Sequence, residues 1–357
     1  MPAKLATIAG LILLCVLPSA ASDRVLFLPL RIGALAGSVG GNAFMVGGTY
    51  YNGGGFFWMP TTGDHSIGGN SITKISRDGK TLVGDVKDSR GYDNAGIWTA
   101  DAWRVLGPIR PNAAPCDALL TGAFGATDDA SVVVGLGWDG CAYAHGFRWD
   151  AANGMVDLGS TNGRSTRANA ISNDGRTIVG WSTDVTGLRV ATKWVNLKEE
   201  RIEGPNPLLG EAHGVNSDGS IIVGDGCDPS AVTTSSPAWM WTKETGVKCY
   251  PVEHPDWLPP LRFYPYRPFM QDLTDDGRLV VGFYSFGLDS EALLWIDGRV
   301  HFLKDYLAAN GLPDAFKGWV NTGFLTAVSP DGRTLVGYGA GPVGFQGYMV
   351  ILPEGAK

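Results

Sequence analysis

An Asp-Gly pair stands four residues ahead of a Val-Gly pair five times along this chain. The copies are Asp78-Gly79 before Val83-Gly84, Asp174-Gly175 before Val179-Gly180 and Asp218-Gly219 before Val223-Gly224. Asp276-Gly277 before Val281-Gly282 and Asp331-Gly332 before Val336-Gly337 complete the set. Two worn copies, Asp129-Ala130 before Val134-Gly135 and Gly41-Asn42 before Val46-Gly47, raise the total to seven. Asp-Gly between apolar β-branched runs is a strong hairpin signal, because Gly reaches positive φ without steric cost and Asp tolerates it.

A third apolar segment follows each hairpin and carries Trp58, Trp98, Trp149, Trp194, Trp241 or Trp295, with Tyr348 in the last copy. A fourth short segment then reads as in Gly154 to Gly159 or Trp103 to Gly107. Four short strands at a period of roughly 37 to 58 residues define a propeller blade. The seventh unit lacks its fourth segment, and Arg24 to Leu28 resembles Arg299 to Leu303, the fourth segment of another unit. The pattern therefore predicts an all-β chain: a seven-bladed β-propeller of four-stranded blades, closed by the N-terminal strand joining the last blade.

The run Ala144-His-Gly-Phe-Arg-Trp149, followed by Gly-Met-Val-Asp-Leu-Gly and then by Ala168 to Gly175, resembles the HAF-repeat family of bacterial secreted proteins. Phe302 to Leu307, Gly318-Trp319 and Leu325 to Ser329 are similar to that family's C-terminal repeat. The likeness runs from Val25 to Pro353 and implies a secreted β-propeller without agreed catalytic residues. The residue that names the family, an Ala, is Gly146 here.

Residues 1–22 read as a signal peptide, with Lys4, the apolar run Ile8 to Leu17 and the small residues Ser19 to Ser22. Residues 23–357 then form the propeller, secreted or periplasmic. The apolar run is too short to span a bilayer, so no stable membrane insertion is expected. The net charge of −7 and the lack of a basic cluster argue against a nucleic-acid partner.

Four cysteines remain after the leader, an even number suited to disulfides in an exported chain. Blade geometry puts Cys116 in an interblade link and Cys141 in the next second-to-third strand loop. Cys227 begins another such loop, and Cys249 lies late in the same blade's outer strand. The expected bonds are Cys116–Cys141 and Cys227–Cys249, both on the end opposite the Asp-Gly turns. That end also carries the long connections Tyr250 to Met270 and Lys304 to Phe324, so recognition is expected there.

The repeated tryptophans read as interblade packing. Trp257 and Trp319 differ because they sit in irregular insertions, where they could fill a local core or touch a ligand. His213 begins an innermost strand at the position of Asn169, Gln271 and Thr326, bordering the channel mouth. With Trp257 and Trp319, Asn169 and Gln271 are the candidate ligand-binding residues. A sharper possibility is an acid/base site of His213 or His254 with Tyr264, Tyr266, Arg262 and Arg267. Such a set could eliminate across an acidic sugar, Arg neutralising the carboxylate and His or Tyr moving the proton. No metal or cofactor motif stands out. The leading expectation is a non-catalytic binder of a glycan, peptide or partner protein; the alternative is an extracellular polysaccharide-degrading lyase or hydrolase on the same face.

Overall fold

The computed structural model describes residues 24–42, 44–204, 210–227, 236–258, 266–286 and 289–354. The expected leader lies outside them. The described residues form seven four-stranded antiparallel sheets and one short helix. Strand β1 is Leu26–Ile32. Blade one is β2 to β5, at Ala34–Gly40, Met45–Tyr50, Gly55–Met59 and Gly63–Gly68. Blade two is β6 to β9, at Ser71–Ile75, Leu82–Lys87, Asp93–Thr99 and Ala102–Val105. Blade three is β10 to β13, at Thr121–Ala126, Val132–Trp138, Ala144–Asp150 and Gly154–Asp157. Blade four is β14 to β17, at Thr166–Ile171, Thr177–Thr183, Arg189–Val195 and Lys198–Arg201. Blade five is β18 to β21, at Ala212–Val215, Ile221–Gly224, Ala238–Thr242 and Gly246–Tyr250. Blade six is β22 to β25, at Arg267–Leu273, Leu279–Phe286, Asp289–Ile296 and Arg299–Phe302. Helix α1, Leu303–Ala309, leads to β26 to β28, at Asn321–Val328, Thr334–Gly341 and Gly344–Ile351. Blade seven takes β1 as its outer strand, with Leu26 opposite Ile351 and Phe27 opposite Val350. The ring closes as the repeat predicts.

The Asp-Gly turns work through a residue that the two-letter motif leaves out. Two positions earlier, Ser76, Thr127, Ser172, Thr274 and Ser329 donate their hydroxyls to the Asp carboxylates. The same carboxylates accept a backbone N–H two residues on, as from Lys80 and Arg176. Gly79, Gly175, Gly219, Gly277 and Gly332 follow at positive φ.

Every innermost strand carries a one-residue bulge at the same height. The extra residues are Gly37, Thr73, Phe124, Asn169, His213, Gln271 and Thr326. The bulge explains the repeated glycine of the second strand. A Cβ on Gly180 would collide with the Arg167 carbonyl, and one on Gly282 with that of Phe269. In blade one the colliding glycine is Gly48, which faces Ala36 and would meet the Leu35 carbonyl. The first worn copy is thus one residue out of register, because Gly48, not Gly47, occupies the bulge position. Tyr348 also shifts: it faces Gly337, while Val350 stands where the other blades place Trp.

The cores lie between blades. Val132 and Val134 of blade three pack with Ala168, Ile178 and Trp194 of blade four, and Trp194 is fully buried. Removing such a ring costs about 3–5 kcal/mol. The repeated tryptophans are structural in this sense, although Trp58, Trp98 and Trp241 are only half-buried.

At the turn end, side chains stitch neighbouring blades together. Arg77 pairs with Asp128 at 2.6 Å, Asp128 N–H donates to Asn173, and Asn173 donates to Ser217. Ser217 donates to Asp275 from both its backbone and its hydroxyl. The equivalent residue of blade seven is Pro330, which has no N–H to continue the series.

Candidate binding site in the central channel

Seven bulges point seven side-chain positions into the ring, so the channel wall is written in the innermost strands. A cavity of about 630 Å³ occupies the channel, touching all seven bulge residues and reaching Leu35, Arg167 and Tyr338 at the loop-face ends of the strands. One position further in, the wall is Ser38, Lys74, Gly125, Ala170, Gly214, Asp272 and Ala327, all lining or adjoining the cavity. Only Lys74 and Asp272 are long and charged there. Below them lie a space of about 50 Å³ and, toward the Asp-Gly turns, a cavity of about 370 Å³ that Lys74 also lines. Lys74 lies 3.6 Å from Asp128. Burial pushes the Asp272 carboxyl upward, against the pull of Lys74 and the N–H groups of Val328 and Leu273.

The mouth has two unlike halves. Blades four and five supply a polar network. Glu211, nearly buried, accepts from Arg167, from Arg189 at 2.6 Å and from Asn169 at 3.2 Å. Arg167 also donates to Asn169 at 2.7 Å, and its guanidinium lies 4.7 Å over the Phe124 ring. Burial lowers the Arg167 pKa, and Glu211 opposes that shift. His213 Nε2 lies 3.0 Å from Asp225 Oδ1, and Asp225 also accepts the Glu211 N–H. A carboxylate is an acceptor, so Nε2 is the protonated nitrogen of this contact.

Blades six and seven supply aromatic rings. Phe269 stacks on Phe283 at 4.8 Å, Phe283 meets Phe324 edge-on at 4.7 Å, and Phe324 lies 5.1 Å from Tyr338. The His213 ring touches this arc through Phe269 at 6.2 Å.

The candidates named from sequence fall in three places. His213, Asn169 and Gln271 line the cavity. His254 and Tyr266 belong to blade six's own packing, where Tyr266 is buried, stacks on Tyr284 at 5.1 Å and lies 5.4 Å from His254. Burial, with Asp289 and Glu291 nearby, raises the Tyr266 pKa. Arg267 is exposed at the start of β22, and Arg262 and Tyr264 lie outside the described residues. The structure therefore does not gather His213, His254 and Tyr266 at one point.

Trp257 packs against Phe302 at 5.1 Å, under the Lys304 ammonium, and remains partly exposed. Trp319 packs on Phe316, Phe27 and Tyr348. The Lys304 to Phe324 connection thus clasps the seam between blades six and seven, with Leu307 and the preceding Leu303 buried there. Both predicted disulfides are present, Cys116–Cys141 and Cys227–Cys249. The loop face carries exposed Tyr51, Tyr143, Val185, Leu188, Val320 and Val343. Among the described residues no three His, Cys, Asp or Glu side chains group as metal ligands, and no helix is long and apolar enough to cross a membrane.

Arg167, Arg189, Glu211 and the aromatic arc were not singled out from sequence. Their signal is positional. Each bulge residue stands eleven places before the second-strand glycine, as Asn169 does before Gly180. Aligning the repeats on that glycine brings the lining residues of every blade into register.

No protein-family model matches this chain, and no curated protein matches it in sequence. Solved propellers are similar in fold. The β-propeller domain of the Trilobed protease from Pyrococcus furiosus, described as having an open velcro topology, aligns with a TM-score of 0.58 at 11% identity, over 91% of this chain and 96% of that one. An oligogalacturonate lyase in complex with manganese aligns with a TM-score of 0.56 at 13% identity, over 93% and 97%. TolB from Acinetobacter baumannii gives 0.47 at 10% identity, over 92% and 80%. At these identities the likeness concerns the fold alone.

Proposed function

We propose that the protein is an exported binding propeller of the HAF-repeat type, non-catalytic, taking its ligand into the channel mouth on the loop face. One observation carries this reading: a cavity of about 630 Å³ lined by the polar side chains of Arg167, Asn169, His213 and Gln271 together with Phe124 and Tyr338. That size and mixture suit a small-ligand pocket. Two disulfides support a periplasmic or extracellular setting, since such bonds persist in oxidising compartments. The exposed apolar side chains of the loop face suit a larger ligand or partner extending over that face.

The test is a thermal-shift screen of sugars, peptides and small metabolites against wild type, Gln271→Ala and Tyr338→Phe. A ligand that binds the native mouth raises the wild-type Tm and raises the variants' less. A library in which every stabilising compound acts equally on all three proteins, or none acts at all, would sink the proposal.

The second reading is an extracellular enzyme acting on polysaccharide. The His213–Asp225 pair favours it, because a carboxylate-oriented imidazole on a cavity wall is the arrangement of a general base. Turnover of a polysaccharide by wild type and its loss in His213→Ala, with ligand binding retained, would select this reading over the first.

A further inference from the structure

We propose that the channel mouth takes a small organic carboxylate, anchored on Arg167; this names a ligand class for the binding function proposed above and rests on it. The charge balance of the cavity wall comes first. Its ionisable lining is Lys74, Arg167, His213, Asp272 and Tyr338. The carboxylates that pair with the first three, Asp128, Glu211 and Asp225, do not line it. Glu211 and Asp225 are buried behind the wall, and Asp128 borders the spaces below. A ligand entering from the loop face therefore meets the basic side of each pair.

Asp272 is the exception among the lining groups. It adjoins Lys74, and its oxygens accept the backbone N–H groups of Leu273 and Val328. That carboxyl at the floor disfavours an anion beside Lys74. Arg167 is left as the anchor, two residues nearer the loop face than the bulge at Asn169.

The Arg167 guanidinium is held in place yet incompletely used. Arg167 and Arg189 share Glu211, so these three side chains keep one positive charge in excess. Asp225, the next carboxylate, already accepts the Glu211 N–H and faces His213. Arg167 Nε is spent on Asn169 and Nη2 on Glu211, while Nη1 has no partner among the described residues. The guanidinium lies 4.7 Å over the Phe124 ring and 5.7 Å over Trp181, which fixes its plane. A planar fork already in position loses little freedom on pairing with a carboxylate. Phe124 and Tyr338, also in the lining, give aromatic surface for the organic remainder. A phosphate is a poorer match: phosphate sites draw on several converging backbone N–H groups, as at a helix N-terminus, and this wall is β ladder.

The test is calorimetric titration with carboxylates and their neutral analogues: benzoate and benzamide, phenylacetate and phenylacetamide, succinate and succinamide, galacturonate and galactose. Inorganic phosphate serves as a second kind of anion. At least one carboxylate is expected to bind one-to-one at millimolar concentration or below, about tenfold or more tighter than its neutral analogue. Arg167→Lys keeps a cation for Glu211 but loses the fork, and should weaken that binding about tenfold. Glu211→Gln removes the competing carboxylate and should strengthen it about threefold; this variant decides the matter if Arg167→Lys does not fold. No carboxylate bound, neutral analogues bound equally well, binding unchanged in Arg167→Lys, or binding unchanged or weakened in folded Glu211→Gln would each overturn the proposal. Phosphate held as tightly as any carboxylate, with the same dependence on Arg167, would overturn the carboxylate class. Failure of the carboxylates alone leaves the binding function to the neutral compounds of the thermal-shift screen; silence there as well removes both.

Discussion

Phe27, near the start of the described chain, stacks on Tyr348, near its end, with ring centroids 5.8 Å apart and planes 28° apart. Phe316 and Trp319 from the Lys304 to Phe324 connection press edge-on against the same pair. Closure of the ring thus rests on a side-chain cluster as well as on strand pairing. Phe27→Ala should lower stability by about 2–4 kcal/mol in urea unfolding. A smaller loss than that of an exposed aromatic control would show that backbone pairing alone closes the ring.

Glycines divide into those that the bulge demands and those that it does not. Gly180→Ala sets a Cβ against the Arg167 carbonyl and should destabilise by about 3 kcal/mol or more. Gly146 lies mid-strand in β12, opposite Leu136. A Cβ there would lie 3.2 Å from the Ala168 nitrogen and 3.4 Å from Leu158. Gly146→Ala should therefore stay within about 1 kcal/mol of wild type. Thermal melts of the two variants decide the contrast.

Asp85 sits between blades two and three, accepting from the Ala123 N–H and the Ser71 hydroxyl, both at 2.8 Å. Burial pushes its carboxyl up to about 6, with Asp93 adding to the rise. A carboxyl raised in the folded state favours folding while protonated, so its contribution is full below its unfolded pKa and disappears as pH rises through about 6. Asp85→Asn should flatten that stretch of the stability profile and raise stability at pH 7 by up to about 3 kcal/mol. Denaturation at pH 4, 5, 6 and 7 is the measurement; a variant that tracks wild type at all four values contradicts it.

The disulfides span sequence separations of 25 and 22 residues. Loops of that size correspond to about 3 kcal/mol each in the chain-entropy treatment. Reduction should lower the melting temperature, and replacing both cysteines of either pair by serine should reproduce part of the drop. An unchanged melt after complete reduction would mean that the bonds constrain nothing the interblade cores do not already hold.

The ring was legible in the chain because its signals are local. A turn glycine and a buried β-branched run lie within a few residues of their partners, and the closing segment, far from its partner, is recognisable by its likeness to the fourth segment of another unit. The disulfides followed once the strands had faces. The channel site was only partly legible. His213, Asn169 and Gln271 emerged because one strand position repeats, whereas Glu211 collects Arg167 and Arg189 from the neighbouring blade through packing that no local pattern records. The insertions left one choice open: Trp319 could fill a local core or touch a ligand, and its place in the seam depends on β1, almost a full chain length away.

Pairing β1 with β28 also sets a timetable. A polypeptide made from its N-terminus releases Leu26–Ile32 well before the edge it needs, Gly344–Ile351. Until that edge emerges, six blades can assemble while the early ribbon waits with unsatisfied backbone groups. The final docking step brings together the two most widely separated strands of the molecule, a slow event by the arithmetic of loop entropy. Any helper that shields a lone strand in that interval would act on this one segment.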